Sequence, residues 1–393
     1  MQNDPRYSLV YDTLRLRPRL WLPMPPSHTI STSARIVRPQ LMAQRPLPTD
    51  DLDHILSETK TLWEEMRNKH IFITGGTGFF GCWLLESFSY INRQLNLSAR
   101  ATVLTRDPAA FAMKCPHLAA DPAVAFLAGD VRSFSFPEGD FQYIIHAATE
   151  ASARQAAEKP LDMLTTIIDG TARVLNFAQT HATRKLLLTS SGAVYGKQPA
   201  SLTHIPEDYL GGPDPLDPAS VYAEGKRISE QMCALQSMHS LIEIKIARCF
   251  AFVGPHLPLD THFAIGNFIG DVLAGRPIRI NGDGTPMRSY LYASDLAIWL
   301  WTMLFQAPHL TAVNVGSAHD LSILELARAV VQSLNASIDI RVAKEVIPGA
   351  DIARYVPSVG RARRLLGLNE TVNLQEAIRR TAAWYVEEGN GGI

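Results

Sequence analysis

From residue 70 onward, short runs of β-branched and apolar residues alternate with longer stretches whose apolar positions recur every three or four residues. The short runs predict strands over 71–74, 101–104, 125–127, 143–146, 185–189 and 242–246. The longer stretches predict helices over 81–92, 161–180 and 223–238. Apolar strands separated by helices make a parallel sheet covered on both faces, with right-handed crossovers. Upstream, Leu52, Ile55, Leu56, Leu62 and Met66 follow Asp50 and Asp51 at helical spacing. They predict a lead helix of about 15 residues within 51–68.

Two regions depart from this alternation. Residues 1–50 hold eight prolines, scattered arginines and no sustained period, which predicts an irregular arm. Beyond Phe250, proline and glycine cluster and the helices become separate. That texture predicts a smaller α/β lobe over the carboxyl edge of the sheet, where ligands of such sheets bind.

Composition narrows the picture. Apolar residues make up 46% and charged ones 19%, ample for a core. Lys+Arg is 37 against 38 for Asp+Glu, so nucleic-acid binding by general electrostatics is not expected. Cys82, Cys115, Cys233 and Cys249 form no C-x-x-C pair, no disulfide framework and no metal-ligand spacing. No metal is expected, and a reducing cytoplasm fits best. The apolar stretch 296–305 is too short to cross a bilayer and predicts a buried helix. Residues 20–24 are too short for a signal-peptide core, so membrane insertion is not expected.

The segment after the first strand carries chemistry. Gly75, Gly78 and Gly81 are spaced G-x-x-G-x-x-G, with Thr77, Phe79 and Phe80 between them. Between a strand and a helix, the first glycine permits a tight turn. The second lets the backbone approach a pyrophosphate, and the third lets helix and strand pack closely. The N–H groups opening the helix then face the phosphates. The fold expected is a doubly wound Rossmann sheet, with a dinucleotide-binding domain over 69–250 and a mainly substrate-binding lobe over 251–393. Their boundary is soft and interleaved. The second strand ends at Thr105 and Arg106. Arg106 fits the 2′-phosphate of NADP, while Asp107 could reach the ribose of NAD, and both readings stand. Asp130 and Val131 follow the third strand, where a carboxylate can accept from the adenine amino group. Ala147 and Ala148 end the fourth with side chains small enough for a cofactor to lie close.

Ser191 closes the fifth strand, and Tyr222 and Lys226 share one face at the start of a helix. A nearby ammonium and a cationic nicotinamide would both draw the phenol towards neutrality, making Tyr222 a general base. Ser191 can hold the same substrate oxygen.

In this order the segments resemble the extended short-chain dehydrogenase/reductase family, the NAD-dependent epimerase/dehydratases of nucleotide sugars, over roughly residues 69–380. The likeness extends through Pro206-Glu207-Asp208, Arg248-Cys249-Phe250, Asn281-Gly282-Asp283-Gly284-Thr285, Arg288-Ser289-Tyr290 and Asn314-Val315-Gly316. It implies Tyr222 as the base, Lys226 on the cofactor ribose and Ser191 on the reacting oxygen. It also implies Arg288 and Arg354 on a nucleotide diphosphate, with Asn267 near it, a nucleotide-sugar substrate and a homodimer.

Departures from the family pattern narrow the reaction. The 4,6-dehydratases resembled here carry Asp-Glu where this chain has Gly192 and Ala193, and UDP-glucuronate decarboxylases usually keep a Glu at the Ala193 position. The family Asn of the R-x-F-N segment is Ala251, and Ile167 replaces another Asn. The 4-epimerases and 4-ketoreductases need only Tyr, Ser and cofactor. The expected activity is therefore NAD(P)-dependent, epimerase-type hydride transfer at C4 of a nucleotide sugar. The alternatives are 4-ketoreduction, or dehydration or decarboxylation with a non-standard acid and base. A non-enzymatic dinucleotide-binding regulator or scaffold is the reading from another class, and an intact Ser191/Tyr222/Lys226 set argues against it.

Overall fold

A computed structural model describes residues 43–149, 158–261 and 263–389, so the expected arm falls almost wholly outside the described residues. Seven strands make the central sheet: β1 (His70–Thr74), β2 (Arg100–Thr105), β3 (Val124–Ala128), β4 (Tyr143–His146), β5 (Lys185–Ser191), β6 (Glu243–Cys249) and β7 (Ala312–Val315). Their order is β7-β6-β5-β4-β1-β2-β3, and every neighbouring pair is parallel. The chain leaves β1 for β2 on one side and later returns to β4 on the other. The carboxyl ends of β1 and β4 therefore diverge into a crevice, the place where such sheets bind ligands.

Eight longer helices accompany the sheet: α1 (Thr49–Thr59), α2 (Phe79–Gln94), α3 (Pro160–Thr180), α4 (Val221–Ser237), α5 (Ala264–Leu273), α6 (Ala293–Gln306), α7 (Ile323–Ser333) and α8 (Leu374–Gly389). One core cluster joins Phe72, Phe134, Phe141 and Ile144 to Val174 and Phe177 of α3 and Cys233 of α4. A larger one joins α1, α2 and α6 to the sheet, with Trp63, Trp83 and Trp301 fully buried. Every residue from Ala293 to Phe305 of α6 is buried, as the stretch 296–305, apolar but for Thr302, requires. Among the described residues, no helix is long and apolar enough to cross a membrane.

The sequence reading and the structure differ in three respects. The lead helix is α-helical only to Thr59 and continues as a 3₁₀ segment, Lys60–Met66. Thr59 Oγ1 donates back to the Ile55 carbonyl at 2.6 Å and accepts from Trp63 Nε1 at 2.9 Å. A hydroxyl bonded to its own preceding turn bends a helix there. Strands β5 and β6 run on to Ser191 and Cys249, because Ser190 pairs with Arg248 and Ser191 with Cys249. The third difference is β7, which comes from the stretch assigned to the second lobe yet pairs along β6.

Candidate active site

The loop after β1 lies against the end of β4. Gly75 has φ +73°, and a Cβ there would stand 2.4 Å from the Ala147 carbonyl oxygen. Only glycine permits both the conformation and the approach. Thr74 Oγ1 accepts from the Ala148 amide at 3.1 Å and is hydrogen-bonded to His146 Nδ1 at 2.8 Å, which ties the two strand ends together. A Cβ at Gly81 would fall 2.2 Å from Gly76 backbone, so helix and loop touch there. Gly78 precedes α2 with no side-chain cap on the helix, and a Cβ at Gly78 would meet nothing nearer than 3.6 Å. The uncapped first turn of α2 therefore presents its amides to open space, as an anionic diphosphate needs. Thr77, Phe79 and Phe80 are partly buried around it, with Phe80 edge-on to Phe252 at 5.1 Å.

At the adenosine end the geometry is more specific than the sequence suggested. Asp107 is a helix cap, accepting from the Ala110 amide at 2.9 Å. Arg106 is exposed and contributes to the electrostatics of Asp130 across the sheet edge. Asp130 is itself clasped by Arg132, from Nε at 2.9 Å and Nη2 at 2.8 Å, and this pairing holds its carboxyl below the usual range. Val131 packs on Gly170 of α3, where a Cβ would stand 2.9 Å from Val131 Cγ1.

Ser191, Tyr222 and Lys226 converge at the end of β5. Lys226 Nζ donates to Thr189 O and Thr149 Oγ1, both at 2.8 Å, and lies 6.0 Å from the centre of the Tyr222 ring. Burial lowers the Lys226 ammonium to about 8. Burial also pushes the Tyr222 phenol up to about 12, with a hydrogen bond to Ser191 pulling it only part of the way back. The expectation joined the Lys226 ammonium to a cationic nicotinamide, and the protein residues are one half of that pair. Desolvation outweighs what they supply, and further positive charge must come from a bound cofactor.

A second phenol, unforeseen from sequence, enters the site. Tyr355 Oη lies 3.5 Å from Ser191 Oγ, and its ring lies 4.7 Å from that of Phe250. Burial raises this phenol well above its ordinary range. Tyr355 pairs with Arg288 in a small sheet whose strands are Leu321–Ser322, Met287–Arg288 and Arg354–Tyr355. Arg288 stands 6.0 Å from the Tyr355 ring, so it belongs to the same wall of the crevice. Arg354 faces elsewhere, with Nη1 on Asp320 at 2.9 Å. Asn267 is half-buried on α5.

Gly192 explains one sequence departure. A Cβ at this position would meet the Phe250 ring at 2.6 Å. The space beside Ser191 is thus walled by the Phe250 and Tyr355 rings. Beneath it a polar chain holds the floor. Glu230 accepts from Ser190 Oγ and pairs with Arg248 Nη2 at 2.7 Å. Arg248 Nη1 donates to Tyr195 Oη at 2.9 Å, and Tyr195 donates to Asn314 Oδ1 at 2.7 Å. Glu207 Oε1 accepts from the Asn314 amide at 3.0 Å. Of these, Glu207, Arg248 and Asn314 are residues of the resemblance, and they bond to one another and to Tyr195 rather than to Tyr222.

Comparison with known proteins bears on the family and the fold. The sequence profile of the NAD dependent epimerase/dehydratase family matches residues 71–316. UDP-glucuronic acid decarboxylase 1 of Danio rerio is 30% identical over 326 residues, covering 82% of this chain and 74% of that protein. UDP-glucuronic acid decarboxylase 3 of Arabidopsis thaliana is 30% identical over 312 residues, covering 79% and 87%. Among solved structures, UDP-glucuronic acid 4-epimerase from Bacillus cereus, in complex with UDP-glucuronic acid and NAD, superposes with a TM-score of 0.68 at 21% identity, covering 81% of this chain and 99% of that one.

Proposed function

The chain belongs to the NAD-dependent epimerase/dehydratase family, and from that premise we propose that it transfers hydride at C4 of a nucleotide sugar in an epimerase-type reaction. It is a nucleotide-sugar enzyme using NAD or NADP. The residues fit such a cofactor: the uncapped start of α2 and the Gly75–Ala147 approach form the diphosphate cradle, and Lys226 stands where a ribose would be gripped. When bound, the nicotinamide supplies the hydride acceptor and a positive charge beside Tyr222.

The chain's own residues then divide the work. Ser191 holds the reacting oxygen by a hydrogen bond. Tyr222 Oη takes the hydroxyl proton as the carbinol becomes a ketone and returns it when the ketone is reduced. Lys226, held by Thr189 and Thr149, keeps an ammonium near that phenolate. Tyr355 closes the opposite side and hinders water beside Ser191. Arg288 is placed for the substrate diphosphate. Arg354 is engaged by Asp320, so any phosphate contact would need to share or displace that partner.

The observation that carries this reading is the Gly192–Phe250 contact. Elimination of water needs an acid and a base beyond Tyr222, and the space where a side chain at 192 would stand is filled by an aromatic ring. Epimerisation and 4-ketoreduction need neither. A second reading, decarboxylation of a UDP-glucuronate-type substrate, is favoured by the named activity of the relatives. Oxidation at C4 makes such a substrate a β-keto acid, which loses carbon dioxide without an elimination base, even with Ala193 in place of an acid.

The test is incubation of purified protein with UDP-, dTDP-, GDP- and CDP-sugars, UDP-glucuronate among them, with and without added NAD(P)H, followed by NMR. A 4-epimer, or a reduced product formed only with NAD(P)H, supports hydride transfer at C4. Carbon dioxide and a nucleotide pentose establish the second reading instead. Conversion of none overturns both.

A further inference from the structure

A cluster of soft and nitrogen ligands lies buried away from the Ser191–Tyr222 group, on the far side of the opening of α2. Cys82 is on α2, Cys115 joins the short helices Pro108–Lys114 and Pro116–Ala119, and His256 follows the strand Phe252–Val253. All three are buried, and one ligand atom from each lies within 4.8 Å of the others. Nothing in the proposed reaction uses them.

Their neighbours complete the set. Gln44 Oε1 is 2.8 Å from His256 Nδ1 and 3.6 Å from Cys115 Sγ. One amide oxygen therefore stands beside two of the three ligands, and Nδ1 is the imidazole nitrogen on the sulfur side. The other nitrogen, Nε2, lies 3.1 Å from Glu86 Oε1. A carboxylate on the outer nitrogen is the arrangement that orients a metal-ligating histidine. Glu86 is one helical turn beyond Cys82, and its Oε2 also accepts from the Leu47 amide. His117 Nε2 pairs with the same Glu86 Oε1 at 3.1 Å, while its Nδ1 is shielded without a hydrogen-bond partner.

We propose that Cys82, Cys115 and His256, with Gln44 Oε1 as fourth donor, form a structural zinc site. In a tetrahedral zinc site with bonds of about 2.0–2.3 Å, neighbouring ligand atoms stand roughly 3.3–3.8 Å apart. The Cys82, Cys115 and His256 ligand atoms reach that spacing by closing up about an ångström, and Gln44 Oε1, 2.8 Å from His256 Nδ1, by moving out about half an ångström. Two thiolates neutralise the dication, so the site adds no net charge to the interior. Two sulfurs, one imidazole and one oxygen suit zinc better than the oxygen-seeking magnesium or calcium. Four protein donors leave no open position, so the role is structural. The metal ties the chain before α1 to the helix that opens at the phosphate loop and to the segment after Val253.

The experiment measures zinc directly. The full chain, expressed with zinc and purified under reducing conditions, should hold about one zinc per chain by plasma mass spectrometry. Removal by chelator followed by cobalt(II) should give the intense visible bands of tetrahedral cobalt and a thiolate charge-transfer band in the near ultraviolet. Cys82→Ser and Cys115→Ser should both abolish these bands, whereas Cys233→Ala, in the other core cluster, should keep them. The wild-type readings stand even if a variant fails to fold. Substoichiometric zinc with no cobalt bands overturns the site, as does a Cys82–Cys115 disulfide found by mass spectrometry of the purified protein, or bands that persist in both serine variants.

Discussion

At the scale of single residues, two hydroxyls and one missing side chain define what the crevice can do. Tyr222→Phe deletes the proton acceptor while keeping the ring. Turnover is expected to fall by about 10²–10⁴-fold with cofactor affinity unchanged, read by steady-state kinetics beside fluorescence titration of the dinucleotide. Preserved turnover would remove Tyr222 from its role. Gly192→Asp restores the acid of the dehydratases but drives it into Phe250. It should destabilise the fold by about 1–3 kcal/mol in urea unfolding, and Phe250→Ala in the same chain should recover part of the loss. An Asp at 192 with full stability would mean the ring yields. Tyr222 and Lys226 were readable because a helix puts positions four apart on one face. Tyr355 was not, since it reaches Ser191 through a two-residue strand whose register no local pattern encodes, although its neighbour Arg354 drew attention. Arg354 itself is paired with Asp320 at 2.9 Å.

At the scale of elements, the strand ends carry polar groups that a hydropathy reading ends too early. β5 and β6 continue through Ser190, Ser191, Arg248 and Cys249, and the Glu230–Arg248 pair makes this possible by satisfying charge inside the fold. Arg248→Met leaves Glu230 unpaired and should cost about 3–5 kcal/mol by urea denaturation, with most of it regained when Glu230→Met is added. Equal costs for the single and double variants would deny the pairing its role. β4 ends on His146, whose ring is bonded to Thr74 and lies beside Thr171. Burial, with Lys226 adding repulsion, lowers it from 6.5 to about 3. Above pH 6.5 the ring is neutral in folded and unfolded chains alike. As pH falls from 6.5 towards 3, only the unfolded chain takes up the proton, so stability drops across that window. His70, lowered to about 4 by burial and Arg100, adds to the same slope. His146→Gln should flatten the fall of Tm between pH 6.5 and 4. An unchanged slope would mean that other groups govern acid unfolding.

At the scale of the whole molecule, the alternation of strands and helices made the sheet and its crevice legible from β1 to β6. The glycine loop was legible because glycines at three-residue spacing between a strand and a helix mark close backbone approaches, and Gly75 and Gly81 make them. β7 escaped because four residues, one of them the buried Asn314, give too short a period to distinguish from loop. Its place gives the central sheet one strand, Ala312–Val315, from the stretch 251–393, in keeping with an interleaved boundary. A chain ending at Gln306 should therefore fail to give the cooperative thermal transition and dispersed amide spectrum of the full chain, even though it holds every residue of the Ser191–Tyr222–Lys226 group. A well-folded truncation would make β7 dispensable.

The late position of β7 also bears on synthesis. Until residue 315 has left the ribosome, the outer border of β6 offers unpaired amides and carbonyls to whatever extended peptide comes near. Crowded polysomes bring identical nascent chains together at that moment, and their borders are complementary by construction. Pairing with β7 moves the sheet's border to β7, whose Ala312 carbonyl accepts from Arg361 Nη1 at 3.0 Å, so chaperone demand should fall as residues 312–361 emerge.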